Sequence, residues 1–177
     1  MKHDVSRAQL SEAQELGHEA RLLAGDHAAL KLWLRLLSCT TQIEDEIRRR
    51  LRATYGVSLA RFDYLAQLYR HEGVKMGELS RLLMVTGGNV TGLTDELERE
   101  GLVQRESSQS DRRAWIVRMT PQGRRSFEGM AKQHEEWILE LFDGVDAGAL
   151  KRLYGELGSL RVRVSENRAA GAESVEG

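Results

Sequence analysis

The stretch VTGGNVTGL, Val85 to Leu93, constrains the fold more than any other part of the chain. It leads into TDELEREGLV, whose apolar residues recur at helical spacing until Gly101. A helix is therefore predicted, with Gly87, Gly88 and Gly92 at or inside its start. Each interior glycine costs a helix about 1 kcal/mol relative to alanine. On a helical wheel centred on Val90, Leu93 and Leu97 lie within about 60° of it and form the core face. Gly88, Gly92, Asp95 and Arg99 lie within about 40° of the opposite direction, with Asn89 and Thr91 flanking them. The outer face at the helix start is thus bare. Close approach of its backbone to another body is a use that would offset the lost stability.

The remaining pattern is mainly α with one β-hairpin. Residues 6–24 read as a short helix on Leu10, Leu16, Leu22 and Leu23. Residues 28–54 read as a long one. Its first half, ALKLWLRLLSC, is apolar on nearly every side and is expected to be buried between helices. Ser58 is a candidate N-cap for a helix over 59–70, HEGVK reads as a turn, and MGELSRLLM as a short helix. Beyond Gly101, LVQRESS and AWIVRMT partly alternate and flank the polar QSDRR, the pattern of a hairpin. Thr120-Pro121 then pairs an N-cap with a proline at the first helical position. That helix is expected to reach about Phe142, and the last helix to span 147–165.

Several function classes fall away. No apolar run approaches the roughly 20 residues that span a bilayer, and the N-terminus lacks a signal core, so the expectation is cytoplasmic with no membrane partner. The five histidines are scattered, and HExxH, the phosphate-cradling G-x-x-x-x-G-K and the nucleophile elbow are all missing. Neither an enzyme, a cofactor nor a metal site is expected. Net charge is −1, and between Lys75 and Arg118 basic and acidic residues balance at seven each. Any nucleic-acid contact must therefore rest on local charge and shape.

Such a local arrangement is present. Leu79, Leu82, Val85, Val90, Leu93 and Leu97 give a short helix, a tight turn and a second helix a shared core. The second helix would offer a positive dipole end and first-turn amides to phosphates, Thr86 capping one of them. Asn89 and Thr91 could read base edges, as the start of a recognition helix does in a major groove. Arg112 and Arg113 on the hairpin turn could enter the adjacent minor groove, with Asp111 as a brace. The competing readings are a flexible glycine-rich connection and an ordinary charged turn.

The run from Met76 to Gly123, with LEREGLVQR, DRR and MTPQG, resembles the winged helix of the MarR family of bacterial transcription regulators. The flanking helices match in order, so the resemblance covers roughly residues 28–165. It implies a homodimer on pseudo-palindromic double-stranded DNA, usually a repressor and often released by a small ligand. The implied organisation is an N-terminal extension helix (1–27), a dimerisation region (28–57 and 121–167), a winged helix-turn-helix (58–120) and a disordered tail (168–177). The alternative to a dimer is a monomeric bundle that packs its own ends. The implied DNA contacts are Thr86, Gly87, Gly88, Asn89, Thr91 and Gly92, with Arg81, Arg99 and Arg105, and Arg112 and Arg113 at the wing. The family often has a basic residue where this chain has Gly92 or Asp95.

Effectors of this family usually sit between the dimer layer and the winged domain, which points to Trp33, Arg61, Phe62, Asp63, Tyr64 and His134. An aromatic acid would suit an aromatic wall with an arginine. Trp33, Phe62 and Tyr64 could equally be core, and Arg61 and Asp63 surface charges. LRLLSCTTQIEDEIRRRLR and RFDYLAQLYR are similar to a subgroup controlling aromatic-acid degradation, which implies an aromatic acid or its CoA thioester as effector. Arg48, Arg49, Arg50 and Arg52 could meet CoA phosphates or simply form an exposed helix end. Cys39 is read as a buried structural cysteine. A redox-sensing repressor through Cys39 and a winged-helix protein-interaction module are the alternatives.

Overall fold

A computed structural model describes residues 28–107 and 115–173. The proposed extension helix (1–27) and the hairpin tip with Asp111, Arg112 and Arg113 lie outside the described residues. The described elements run α1 (Ala28–Tyr55), α2 (Leu59–Arg70), β1 (Val74–Lys75), α3 (Met76–Leu83), α4 (Gly87–Arg99), β2 (Val103–Ser107), β3 (Trp115–Met119), α5 (Pro121–Leu141) and α6 (Ala147–Glu173). The chain divides into two compact units, one carrying α1 to α5 and the other α6.

In the larger unit the apolar stripes read from the sequence converge on one core. Ile47 and Leu51 of α1 join Phe62, Leu65 and Leu68 of α2 and Leu79 of α3. Tyr64 of α2, Val90 and Leu97 of α4 and Phe127, Met130 and Trp137 of α5 complete the helical share. Ser58 caps α2 as expected, its hydroxyl accepting the Arg61 N–H at 3.3 Å. The hairpin is present, but the sheet has three strands in the order β1-β3-β2, all antiparallel. The segment read as a turn, HEGVK, supplies β1, with Val74 opposite Val117 and both buried. A two-residue strand is too short to show alternation, so only its partner reveals it.

Two glycine positions fix the junction between α4, the sheet and α5. Gly101 ends α4 with φ +71. Its N–H bonds to the Glu98 carbonyl, and Leu102 N–H to the Leu97 carbonyl, both at 2.9 Å, the paired bonds of a left-handed helix stop. Thr120 caps α5 by accepting the Gly123 N–H at 3.0 Å, with Pro121 in the first helical position. Gly123 lies against the Leu102 backbone so closely that a β-carbon there would sit 2.0 Å from the Leu102 carbonyl oxygen.

Three expectations change. The first half of α1 is not buried among the described residues, since Leu30, Leu32 and Trp33 are exposed. Cys39, expected inside, is exposed on the same helix. The last helix continues to Glu173 rather than 165, so residues 168–173 are helical rather than a disordered tail. The segment NRAAGAE is largely alanine and other helix-compatible residues, and a lone glycine lowers helix stability without stopping it.

The turn between α3 and α4 carries one backbone irregularity. Met84 adopts φ 54 and ψ 36, the left-handed region, at the end of α3. That conformation costs a side-chain-bearing residue about 1 kcal/mol.

Gly123→Ala is expected to lower the free energy of unfolding by about 3 kcal/mol or more, since the new methyl group meets backbone that cannot step aside. Urea denaturation reads this directly. A midpoint equal to wild type would mean that the crossing does not constrain the junction.

Candidate nucleic-acid interface

The start of α4 is open. Thr86 has extended geometry at the N-cap, φ −69 and ψ 153, but its hydroxyl makes no capping bond, contrary to expectation. Its carbonyl accepts the Val90 N–H at 3.2 Å, which begins the helical ladder. The amides of Gly87, Gly88 and Asn89 precede that ladder and face outward as donors. Thr91 donates its hydroxyl to the Gly87 carbonyl at 3.0 Å, which keeps the oxygen's acceptor capacity for another partner.

The glycines here are not required by the chain's own packing. A β-carbon at Gly88 or Gly92 would meet nothing within 4 Å, and at Gly87 only the Ser80 hydroxyl at 4.0 Å. None of the three has a positive φ. Alanine would fit and would favour the helix. Thr86, Gly87, Gly88, Asn89, Thr91 and Gly92 are all exposed.

The opposite face is anchored by a polar chain that sequence reasoning missed. Thr94 is fully buried, donates to the Val90 carbonyl at 2.6 Å and lies 2.6 Å from the Tyr64 hydroxyl. With the threonine proton committed, the tyrosine is the donor. Burial pushes the Tyr64 hydroxyl up to about 12, so it keeps that proton. Thr94 falls on the core side of the same wheel that exposed the glycines, which is the signal that could have found it. Tyr64 has no surface left to line an effector site and leaves that set.

Arg105 also changes role. Its guanidinium reaches Asp95 at 2.7 Å and Glu98 at 2.5 Å, and its backbone N–H donates to Glu98 at 2.9 Å. The Arg105 hydrogen bond holds the Glu98 carboxyl below the usual carboxylate range. Arg105 thus ties β2 to α4 rather than standing free for a phosphate. It also neutralises Asp95, the acidic residue on the outer face. Arg81 and Arg99 are exposed and make no ion pair among the described residues.

The effector candidates scatter. Phe62 and His134 stack, ring centroids 4.8 Å apart, with Phe127 5.3 Å from Phe62. Burial lowers the His134 pKa. Arg61 pairs with Glu100, while its Nε is buried without a hydrogen-bond partner among the described residues. Asp63 lies on the exposed side of α2 at the residue level, though desolvation, with Glu44 second, raises its carboxyl pKa. Trp33 is 58% exposed on the first half of α1. Arg48, Arg49 and Arg50 are engaged by Glu44, Asp45, Glu46 and Glu140, which leaves Arg52 of that cluster without an ion pair among the described residues.

The fold and this interface define a winged helix-turn-helix. A family model described as MarR family matches residues 55–114. The chain is 28% identical over 117 residues to YdgJ, an uncharacterized HTH-type transcriptional regulator of Bacillus subtilis, covering 66% of this chain and 71% of YdgJ. It is 34% identical over 107 residues to the transcriptional activatory protein BadR of Rhodopseudomonas palustris, covering 59% of this chain and 61% of BadR. A solved MarR family transcriptional regulator from Silicibacter pomeroyi superimposes with a TM-score of 0.68 at 29% identity, covering 80% of this chain and 99% of that one. Together these findings support a DNA-binding MarR family winged-helix transcriptional regulator. The homologues and structural neighbours are regulators, not enzymes.

Two outcomes follow. Gly88→Ala and Gly92→Ala should each raise stability, by up to about 1 kcal/mol, while weakening DNA binding. Melting temperature and fluorescence anisotropy on DNA read the two effects separately, and a stabilised variant with undiminished affinity would show that nothing approaches this face. For His134, a folded pKa below the ordinary histidine value of 6.5 means the unfolded chain binds the extra proton first. Its contribution to stability is complete above pH 6.5 and is lost as pH falls below it. His134→Gln should flatten the urea-midpoint profile between pH 7 and pH 5, and an unchanged slope would assign the acid sensitivity elsewhere.

Proposed function

We propose that the protein is a homodimeric repressor that binds a pseudo-palindromic operator and is released by a small aromatic acid or its CoA thioester. The observation that carries the DNA contact is the uncapped, glycine-bare start of α4. Thr86, Gly87, Gly88, Asn89, Thr91 and Gly92 then meet the major groove, Arg81 and Arg99 meet phosphates, and Arg112 and Arg113 reach the flanking minor groove. Two such helices sit about 34 Å apart, one turn of DNA.

Residues 58–120 form the DNA-binding unit, and residues 28–57 and 121–167 the dimerisation region. Apolar surface supports this division. Leu30, Leu32 and Trp33 on α1 are exposed, as are Leu153, Leu157, Val162 and Val164 on α6. A second copy is the economical cover for such surface. Among the described residues no helix is long and apolar enough to cross a membrane, in keeping with a regulator working in the cytoplasm.

The His134 ring, half-buried and stacked on the core residue Phe62, and the Arg61 Nε, without a hydrogen-bond partner among the described residues, support an aromatic carboxylate as effector. By linkage, effector and DNA weaken each other's binding equally. A second reading, a redox switch at Cys39, is favoured by the exposure of that cysteine.

The test is fluorescence anisotropy on DNA from upstream of the protein's own gene, titrated with aromatic acids and their CoA thioesters. Tight binding is expected, weakening with salt at about 0.9 logarithmic units per neutralised phosphate, and reversed by one compound. Binding untouched by every compound but lost to peroxide would replace the effector reading with the Cys39 switch. No binding at low salt would remove the DNA reading.

A further inference from the structure

Resting on the DNA-binding reading, we propose that Met84 determines part of the operator's sequence, its side chain packing on the C5-methyl group of a thymine in the major groove. The backbone at Met84 closes α3, its N–H bonding to the Arg81 carbonyl at 3.3 Å and the Val85 N–H to the Ser80 carbonyl at 3.1 Å, but two features make a methionine side chain unfavourable there. Its backbone is left-handed at φ 54, where glycine would be free of strain. Its apolar side chain is 93% exposed. Leu83 and Val85, on either side, pack against the core, so the turn presents Met84 outward.

The position is next to the open amides. Met84 precedes Gly87 by three residues, which keeps their Cα atoms within about 11 Å even for an extended chain. Thr86, Gly87 and Gly88 between and beyond are exposed, as is Arg81 before it. A body that approaches the start of α4 therefore meets Met84 as well.

The chemistry selects the contact. Methionine is unbranched, polarizable and adaptable, and it has no strong donor or acceptor. Phosphate oxygens and polar base edges offer it nothing comparable to an apolar surface. The thymine methyl is the one apolar group on the major-groove edges of the four bases.

The experiment uses DNA selected from random sequence by the wild-type protein, remade with deoxyuridine replacing each thymidine of a half-site in turn. At one position, loss of the methyl should weaken wild-type binding about three- to fourfold, as expected for one buried methyl. Met84→Gly should show no penalty at that position and should melt at a higher temperature, so a loss cannot be ascribed to misfolding. Met84→Leu should retain the penalty. The same deoxyuridine penalty in wild type and Met84→Gly would overturn the proposal by assigning the methyl to another group. A Met84→Gly loss equal on all DNA would also overturn it, placing the side chain on the sugar–phosphate backbone. Failure of the wild type to select any DNA would overturn instead the reading on which the proposal rests.

Discussion

The Leu102 carbonyl is the point on which the winged unit depends. It accepts the Thr120 N–H at 3.0 Å, the Thr120 hydroxyl, which donates to the Gly101 carbonyl at 2.7 Å, lies 3.2 Å from it, and Gly123 packs directly against it. Three elements begin or end there: α4 stops at Gly101, β2 starts at Val103 and α5 starts at Pro121. A carbonyl this enclosed must be hydrogen-bonded, because leaving it bare would cost about 1–3 kcal/mol. The Thr120 backbone N–H satisfies it, while the Thr120 hydroxyl donates to the Gly101 carbonyl and accepts the Gly123 N–H, and only a residue without a side chain at 123 leaves room for the crossing. The motif MTPQG is therefore a structural joint. It fixes where the hairpin leaves α4.

The near-neutral charge of the chain has its explanation in how its ions are spent. Arg105 is shared by Asp95 and Glu98, Arg118 by Glu106 and the Glu72 carbonyl, and Arg61 by Glu100. Each pair joins one element to another or braces a strand. Partly exposed pairs contribute little stability singly, roughly 0–1 kcal/mol, but they leave the outer face of α4 without a bare carboxylate at Asp95. The field near the helix start is then governed by its dipole, its open amides and Arg81, which makes no ion pair among the described residues. A protein can approach DNA this way without being basic overall.

Much of this was legible in the sequence. Helical period placed Val90, Leu93 and Leu97 inward, and the Thr-Pro pair and Gly101 marked helix ends, because period and caps are local. What was not legible depends on partners distant in sequence. β1 exists only through its pairing with β3, and Arg105 reads as a free cation until Asp95 and Glu98 close on it. Tyr64 looked like a pocket wall because an aromatic side chain gives no sign of which side its hydroxyl is satisfied on. The first half of α1 and Cys39 were read as buried from composition alone. Composition shows that apolar surface needs cover, without showing that the cover lies within the same chain.

The same α2 helix touches α4 at two points and also carries the stacked Phe62. Tyr64 reaches Thr94 in the middle of α4, and Arg61 reaches Glu100 at its end. Residues 61, 62 and 64 lie within one turn of helix, so α2 cannot shift at Phe62 while both grips on α4 stay unchanged. On the proposed reading this sets the requirement for release. An effector that lodges against His134 without moving α2 binds both states alike and shifts nothing. One that draws the Arg61 guanidinium from Glu100 to its own carboxylate alters the end of α4 through a single ion pair. A carboxylate placed beside an aromatic ring is the simplest ligand that does both, which is why the chemistry of the effector and the mechanics of α4 are one question.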